Sequence, residues 1–299
     1  MDLARLLCNR RCVVQNAHPR LFSTFPELIV MRPAPFQMST LLSVFVCLLG
    51  TSRNHAVADD IKPVRALLVL GGCCHDYNAQ KDFLAKGIAE RAHVEVVIAL
   101  DKDTSTGHMN PVYEKADWAE GFDVVIHDEC SSDVKDLAII DRILEPHRQG
   151  LPAVLLHCGM HSYRSEGYPK AITPWFEFTG LQTTGHGRQT PIHVNFSDPS
   201  HPIRTGLTDW TTVNEELYNN SEGKLLETAT ALAVGQQDGS KDATVVWTNN
   251  YRMKTRVFAT TLGHNNATVE DDRYLDLVTR GLLWSCDKLN DQYLRPASK

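Results

Sequence analysis

The stretch Arg65-Ala-Leu-Leu-Val-Leu-Gly-Gly72 decides the fold of this chain. Its apolar run is continuous and ends in two glycines, the pattern of a strand that helices cover on both faces. Strands of this kind belong to parallel sheets whose connections cross over through helices. We therefore expect an α/β domain that opens with a buried strand.

The next elements repeat this alternation of helix and strand. Asn78 is positioned to cap a first helix, and Ser132 a second helix that Gly150 ends. Further apolar runs predict buried strands at residues 94–100, 122–126 and 153–156. Right-handed crossovers would make these strands parallel.

The second half of the chain is less regular. Residues 159–190 are rich in Gly, Pro, Thr, His and aromatic residues, and a long structured loop of that kind is usually functional. Leu275, Val278 and Leu282 have the spacing of a closing helix. Shorter strands are predicted at residues 192–196, 229–234, 244–248 and 256–262. Because no repeat or linker interrupts the chain, we expect a single domain over residues 59–299.

Residues 1–58 have the pattern of a leader and signal peptide. The apolar segment 41–49 is too short for an ordinary transmembrane helix and is followed by Ala56-Val57-Ala58, which predicts cleavage after Ala58. Arg32 supplies the positive flank if translation begins at Met31. The alternative is a buried core helix. We expect an exported protein, periplasmic or extracellular, without a stable membrane span after cleavage.

Charge and cysteine content exclude two further classes. The net charge is -6, and no run of Lys or Arg is long enough to bind a polyanion, so nucleic acid is not an expected partner. The expected mature part keeps five cysteines, an odd number without the spacing of a disulfide scaffold. Cys73-Cys74 could form a bridge or bind metal, but we expect two small residues in a tight loop.

Histidines mark the ends of several predicted strands. His75, His127, His157 and His264 each end or follow a strand, and His161 lies four residues beyond His157. The carboxyl ends of the strands form the ligand crevice of an open parallel sheet, so these side chains could meet there. Glycines near His75, His157 and His264 permit close approach of a ligand. For His127 a structural role is favoured.

Several segments together resemble one known family over residues 64–287. They are Leu-Gly-Gly-Cys-Cys-His75-Asp-Tyr, Leu-Leu-His157-Cys-Gly-Met-His161, Thr-Gly-His186-Gly, Asp198-Pro-Ser-His201-Pro-Ile, Asn214-Glu-Glu216-Leu-Tyr218, Val-Trp247-Thr and Leu-Gly-His264-Asn. In their order and spacing the chain resembles the ThuA-like, or trehalose-utilisation, family of the class I glutamine amidotransferase-like superfamily. The resemblance implies a flavodoxin-like three-layer α/β sandwich with a mostly parallel sheet, and a role in sugar metabolism.

The chain departs from true amidotransferases at their catalytic elbow. His157 stands in the place of the nucleophilic cysteine, and Cys158 comes one residue late, where we expect it to point away from the crevice into packed structure. Asn266 stands where the amidotransferase pattern has a glutamate, so no carboxylate two residues after His264 would orient that ring. Glutamine hydrolysis is therefore not expected.

Two imidazoles, His157 and His264, remain where a nucleophile and its base would face each other. A divalent metal, with zinc as the first choice, is expected there if His75, His161, His186 or Glu216 completes the ligand set. Without metal, His157 and His264 would act as acid and base, tuned by neighbouring carboxylates. The predicted metal ligands are His75, His157, His161 and His264; the catalytic residues are His157, His264 and Glu216; the substrate-binding residues are Asp76, Tyr77, Tyr163, His186 and Tyr218.

These observations lead to two main functional hypotheses. The first is an exported hydrolase or lyase that acts on a sugar or an oxidised-sugar derivative in the histidine-lined crevice. The second is a non-catalytic carbohydrate-binding or accessory protein, since a fold does not define its function. A cysteine hydrolase using Cys158 ranks last. Either main hypothesis predicts a small carbohydrate-type ligand, and neither defines an oligomeric state.

Overall fold

The computed structural model describes residues 61–220 and 225–296. The predicted leader and signal peptide, residues 1–58, lies outside the described residues. Within the part described, no helix combines the length and the apolar character needed to cross a membrane.

The described elements alternate regularly at first and then become strand-rich. They are β1 (Val64–Gly72), α1 (Tyr77–Arg91), β2 (Val94–Leu100), β3 (Val124–Cys130), α2 (Leu137–Gln149), β4 (Ala153–Leu156), α3 (Pro174–Thr179), β5 (Thr183–Phe196), β6 (Trp210–Asn220), β7 (Ala229–Gln236), β8 (Ala243–Tyr251), β9 (Thr255–Thr260), α4 (Asn266–Val269) and α5 (Asp272–Ser285). The strands form one sheet in the order β2-β1-β3-β4-β9-β8-β7-β5-β6.

Helices cover both faces of the central strands β1, β3, β4 and β9. Along β1, Ala66 and Leu68 enter one apolar core, while Leu67 and Val69 enter the other, because successive strand residues point to opposite faces. Side chains of α1 and α5 complete the first core, and side chains of α2 and α3 the second. The predicted α/β fold with three layers is therefore confirmed.

The prediction of a mostly parallel sheet is wrong, because the sheet is mixed. The pairs β1–β2, β1–β3, β3–β4 and β4–β9 are parallel, whereas β5–β6, β5–β7, β7–β8 and β8–β9 are antiparallel. Short connections join β7 to β8 and β8 to β9, and a short connection cannot carry a crossover, so it forces antiparallel pairing. The turn between β8 and β9 places Arg252 and Met253 at φ 51° and 55°. That conformation favours glycine or asparagine, which this turn lacks, so the hairpin had no clear sequence signal.

The helix boundaries were predicted less well at their beginnings than at their ends. Asp76, not Asn78, caps α1 by accepting a hydrogen bond from the Ala79 amide. Asp136, not Ser132, caps α2. Gly150 ends α2 in the left-handed conformation, as predicted. An aspartate competes well with Asn or Ser as a cap, so the apolar pattern alone did not choose between neighbours.

Candidate functional site

The first residue of the site lies on a strained turn directly after β4. His157 has a φ of 41° and opens a 3₁₀ turn, His157–His161. The turn packs closely on β3, because a Cβ at Gly159 would lie 2.2 Å from the carbonyl oxygen of His127. The buried His157 ring donates from Nδ1 to the Thr261 carbonyl oxygen at 2.7 Å. This bond orients Nε2 into the site.

His264 lies on the loop after β9, which buried hydrogen bonds hold in place. The carboxylate of Glu215 accepts from the backbone amides of His264 and Asn265 at 3.1 and 3.0 Å. The side-chain amide of Gln80 donates to the carbonyl oxygens of Gly263 and His264. Glu215 is fully buried, so these bonds are shielded from water. These hydrogen bonds fix the backbone of residues 263–265, which in turn positions the His264 ring.

His75 follows β1 and completes a group of three rings. Its ring centroid lies 4.6 Å from that of His157 and 4.8 Å from that of His264. One ring nitrogen from each of the three histidines can be chosen so that all lie within 4.8 Å of one another. The structure thus brings His75, His157 and His264 together at the carboxyl edge of the parallel strands.

Glu216 faces the same group from β6. Its carboxylate oxygens lie 3.4 Å from Nε2 of His157, 3.3 Å from Nδ1 of His264 and 3.4 Å from Nε2 of His186. The amide of Gln189 donates to the same carboxylate at 2.9 Å. Register shifts interrupt the β5–β6 pairing on both sides of Gln189. Such bulges bend a strand pair and redirect its side chains.

Burial keeps two of the three imidazoles neutral. It lowers the pKa of His75 to about 2, with further lowering from His157 and His264. Burial also lowers the pKa of His264, although Glu216 opposes the effect. A neutral imidazole has a free lone pair, which is the form that binds a metal ion.

His157 and Glu216 form the charged pair of the site. Burial lowers the pKa of His157, but the contact with Glu216 and the charge of Glu215 outweigh burial, so the pKa is raised. Burial by itself raises the pKa of Glu216, but the hydrogen bond to His157 and the positive charge of His157 lower this pKa to about 2. A proton at Nε2 of His157 is therefore favoured while no other cation neutralises the carboxylate.

Three other predicted residues surround this group. Tyr218 is buried, and its hydroxyl lies 3.2 Å from Nε2 of His157 and 3.4 Å from Nε2 of His161. His161 stacks on the Tyr218 ring behind the three-histidine group. His186 is exposed; its Nε2 lies 3.4 Å from Glu216, its Nδ1 donates to the Gly187 carbonyl oxygen, and its ring stacks 6.0 Å from that of Tyr218. Among the described residues, His161 is not one of the three histidines whose ring nitrogens lie within 4.8 Å of one another.

The structure places the remaining predicted residues away from the group or at its border. Asp76 is exposed, caps α1 and accepts a hydrogen bond from Asn266 at 3.0 Å. Tyr77 is buried, with its ring 5.5 Å from the ring of His75. Tyr163 lies fully in the core, where its hydroxyl donates to Glu129 at 2.9 Å. Tyr163 therefore does not line a crevice where it could contact a substrate, because packed residues cover its whole side chain.

The cysteines also differ from their predicted roles. Cys158 is buried, but its Sγ lies 3.0 Å from Nε2 of His75, so it contacts the group instead of facing away from it. The sulfur atoms of Cys73 and Cys74 are joined in a disulfide, where we had expected two small loop residues. A tight turn with Cys74 at φ 82° accommodates this bridge.

Sequence reasoning missed the residues that orient the site. Glu215, Gln189 and Gln80 hold His264 or Glu216 in position. Only Glu215 had a signal, because it stands beside Glu216 in the Asn214-Glu-Glu216 segment. His127, predicted to be structural, lies fully buried and contacts Glu129.

A cavity of about 270 Å³ opens next to His75. Its lining includes Tyr77, Asn78, Asp101, Lys102 and Asp103. These side chains offer donors and acceptors of the kind that bind hydroxyl groups.

Comparison with known proteins agrees with the fold and the motifs. A ThuA-like protein from Parabacteroides merdae is 20% identical with a TM-score of 0.56, covering 75% of this chain and 90% of its own. A ThuA-like protein from Bacteroides uniformis is 15% identical with a TM-score of 0.54, covering 77% and 94%. Among curated proteins, none shows significant sequence similarity. The family model described as ThuA, trehalose utilisation, matches residues 65–285, and the chain therefore belongs to the ThuA family.

Proposed function

We propose that this chain is an exported enzyme of carbohydrate metabolism. It would be a hydrolase or lyase that acts on a sugar or oxidised-sugar derivative and uses a divalent metal ion, with zinc as the first choice. One observation carries the proposal. Ring nitrogens of His75, His157 and His264 lie within 4.8 Å of one another at the edge of the sheet where α/β proteins bind ligands. Membership of a family described by trehalose utilisation supports the sugar substrate.

The residues present fit a zinc ion. Nδ1 of His75 is buried without a hydrogen-bond partner among the described residues, although buried polar atoms are normally paired. Nδ1 of His264 makes no hydrogen bond either and has the Glu216 carboxylate 3.3 Å away. The bond from Nδ1 of His157 to a backbone carbonyl is the kind of support that metal-binding histidines have. Three protein ligands with an open position are typical of catalytic zinc. Glu216 would balance the charge.

Bound zinc would polarise a substrate oxygen or lower the pKa of a water molecule. The protein residues would bind the sugar and move protons. The exposed His186, which the ionised Glu216 carboxylate contacts at 3.4 Å, would accept a proton and return it. Asn78, Asp101 and Asp103 in the neighbouring cavity would bind sugar hydroxyls. Export is supported by the apolar segment and the Ala56-Val57-Ala58 site.

Elemental analysis combined with turnover tests this proposal. Purified residues 59–299 are expected to hold one zinc per chain, and His264→Ala is expected to lose it, whereas His193→Ala, at an exposed position, keeps it. Hydrolysis or elimination on a panel of disaccharides and their keto derivatives should stop after chelation and return with zinc. Stoichiometric metal with sugar binding but no turnover would favour the accessory-protein hypothesis. A metal-free protein with full activity would overturn the proposed requirement for zinc and favour acid–base catalysis by the histidines.

A further inference from the structure

Four cysteine sulfurs form a chain that leads from the surface towards the histidine group. Cys74 is exposed and bridged to the half-buried Cys73, whose Sγ lies 3.6 Å from Sγ of the buried Cys130. The sulfur atoms of Cys130 and Cys158, together with a ring nitrogen of His75, lie within 4.8 Å of one another. Neighbouring sulfurs in the chain are thus close enough to exchange a bridge after small side-chain rotations.

The backbone brings these residues together through two glycines. The register of β1 and β3 pairs Gly72 with Cys130, and a Cβ at Gly72 would lie 2.3 Å from the Cys130 carbonyl oxygen. Gly159 makes the equally close approach of the 3₁₀ turn to β3 described above. A larger residue at either position would push the strand ends apart. The proximity of Cys73, Cys130 and Cys158 is therefore built into the main chain.

We propose that Cys73, Cys74, Cys130 and Cys158 form a thiol–disulfide exchange site, in which the bridge passes from the surface pair Cys73–Cys74 to the buried pair Cys130–Cys158. This activity is separate from the proposed carbohydrate chemistry. Its substrate class is an external disulfide that reaches the exposed Cys74.

The exchange takes two steps, each of which conserves electrons. The Cys130 thiol loses its proton to water, and its sulfur attacks Sγ of Cys73; the Cys73–Cys74 bond breaks, and Cys74 leaves as a thiolate that takes a proton from water. The Cys158 sulfur, deprotonated in the same way, then attacks Sγ of Cys130 and releases Cys73 as a thiolate that is protonated. One disulfide and two thiols are present before and after.

The surface pair can then return to its bridged state by reducing the external disulfide. Cys74 attacks one sulfur of that disulfide and releases the first thiol. Cys73 attacks the mixed disulfide, which restores the Cys73–Cys74 bridge and releases the second thiol. In total, the buried pair is oxidised, and one external disulfide becomes two thiols.

Tryptic peptides distinguish the positions of the bridge. Cys73 and Cys74 share the peptide 66–81, Cys130 lies in 116–135 and Cys158 in 149–164. The folded chain is held at pH 8 without reductant, quenched in acid, alkylated in denaturant and analysed by mass spectrometry. We expect a fraction of chains in which 116–135 is linked to 66–81 or to 149–164. Addition of glutathione disulfide should convert the mixture to chains with both bridges.

Matched variants and controls keep the result interpretable. Cys130→Ser should retain only the bridge within 66–81, while Cys286→Ser, outside the chain of sulfurs, should behave as wild type. A sample unfolded before incubation gives the level of random exchange. The proposal is overturned if wild type shows the bridge only within 66–81, shows no bridge, or links these peptides no more often than the unfolded sample.

Discussion

The Glu216 carboxylate lies 3.4 Å from Nε2 of His157, and the two residues come from opposite halves of the sheet. His157 opens the turn after β4 in the parallel half, whereas Glu216 lies on β6, the edge strand of the antiparallel half. The candidate site therefore exists only when both halves have folded and the bent β5–β6 pair covers the carboxyl edge of the parallel strands.

Glu216→Gln is expected to weaken zinc binding by about 10–100-fold, the usual effect of losing a residue that supports metal ligands. The reason is that the amide no longer balances the charge next to His157 and His264. Competition with a chromophoric chelator measures the affinity. Glu227→Gln, the same change at an exposed position, is the control. An unchanged zinc affinity in Glu216→Gln would show that this carboxylate does not support metal binding.

Glu215→Ala should lower the free energy of unfolding by about 2–4 kcal/mol, because it leaves two half-buried backbone amides, those of His264 and Asn265, without an acceptor. Glu215→Gln keeps one acceptor and should lose less. Urea unfolding of the metal-free protein gives both values, with the exposed Glu120→Ala as the control. Equal stabilities for Glu215→Ala and Glu120→Ala would contradict the role assigned to Glu215.

Cys158→Ser should leave zinc content and any sugar turnover largely intact. The serine hydroxyl can still contact His75, and the reactive position of the elbow belongs to His157. A stability cost of about 1–2 kcal/mol is expected, because a polar group replaces a buried thiol. Rapid labelling of Cys158 by iodoacetamide, with loss of turnover, would instead restore the thiol nucleophile.

The stability of the protein should fall in acid partly because of His147. Burial, with a smaller effect of His127, lowers the pKa of His147 to about 3. Below pH 6.5 the unfolded chain therefore binds a proton that the folded chain does not, so the stability present above pH 6.5 is lost as the pH falls towards 3. Each such group steepens the fall by up to about 1.4 kcal/mol per pH unit.

His147→Gln tests this contribution, since glutamine does not titrate. The variant should be less stable at pH 7, because His147 donates to the Leu151 carbonyl oxygen at 2.7 Å. Its free energy of unfolding should nevertheless fall less steeply between pH 6.5 and 3, as followed by urea unfolding at several pH values. The exposed His193→Gln should keep the wild-type slope. If the free energies of unfolding of wild type and His147→Gln fell with the same slope, His147 would be protonated to the same extent in the folded and unfolded chains, which would contradict this prediction.

Processing of the N terminus should produce a mature chain that begins near Asp59, because Ala56-Val57-Ala58 follows a short apolar segment. N-terminal sequencing of the exported fraction from the native host measures the cleavage position. Recovery of an intact Met1 or Met38 in that fraction, or of the protein in the cytoplasm alone, would contradict export by this signal.

The amino-acid sequence determined the parallel half of the fold well. Residues 94–100 and 153–156 were predicted as strands with the bounds they have in the structure. Residues 153–156 are all apolar because this strand is fully buried, and in residues 94–100 Glu95 is the one polar residue. Edge strand β6 was not predicted, because polar residues such as Asn214 and the buried Glu215 interrupt its apolar positions.

For the candidate site, the sequence determined which histidines follow strands, and the resemblance added Glu216. Only the tertiary structure decided that the rings of His75, His157 and His264 lie in contact with one another. It also decided that Tyr163 lies in the core and that Cys73 and Cys74 are bridged. These outcomes depend on strand register, on bulges in β5 and on the close approach of Gly72 and Gly159 to β3. Apart from the adjacent Cys73 and Cys74, these relationships join residues far apart in the chain, and no local pattern of residue types encodes the distance between them.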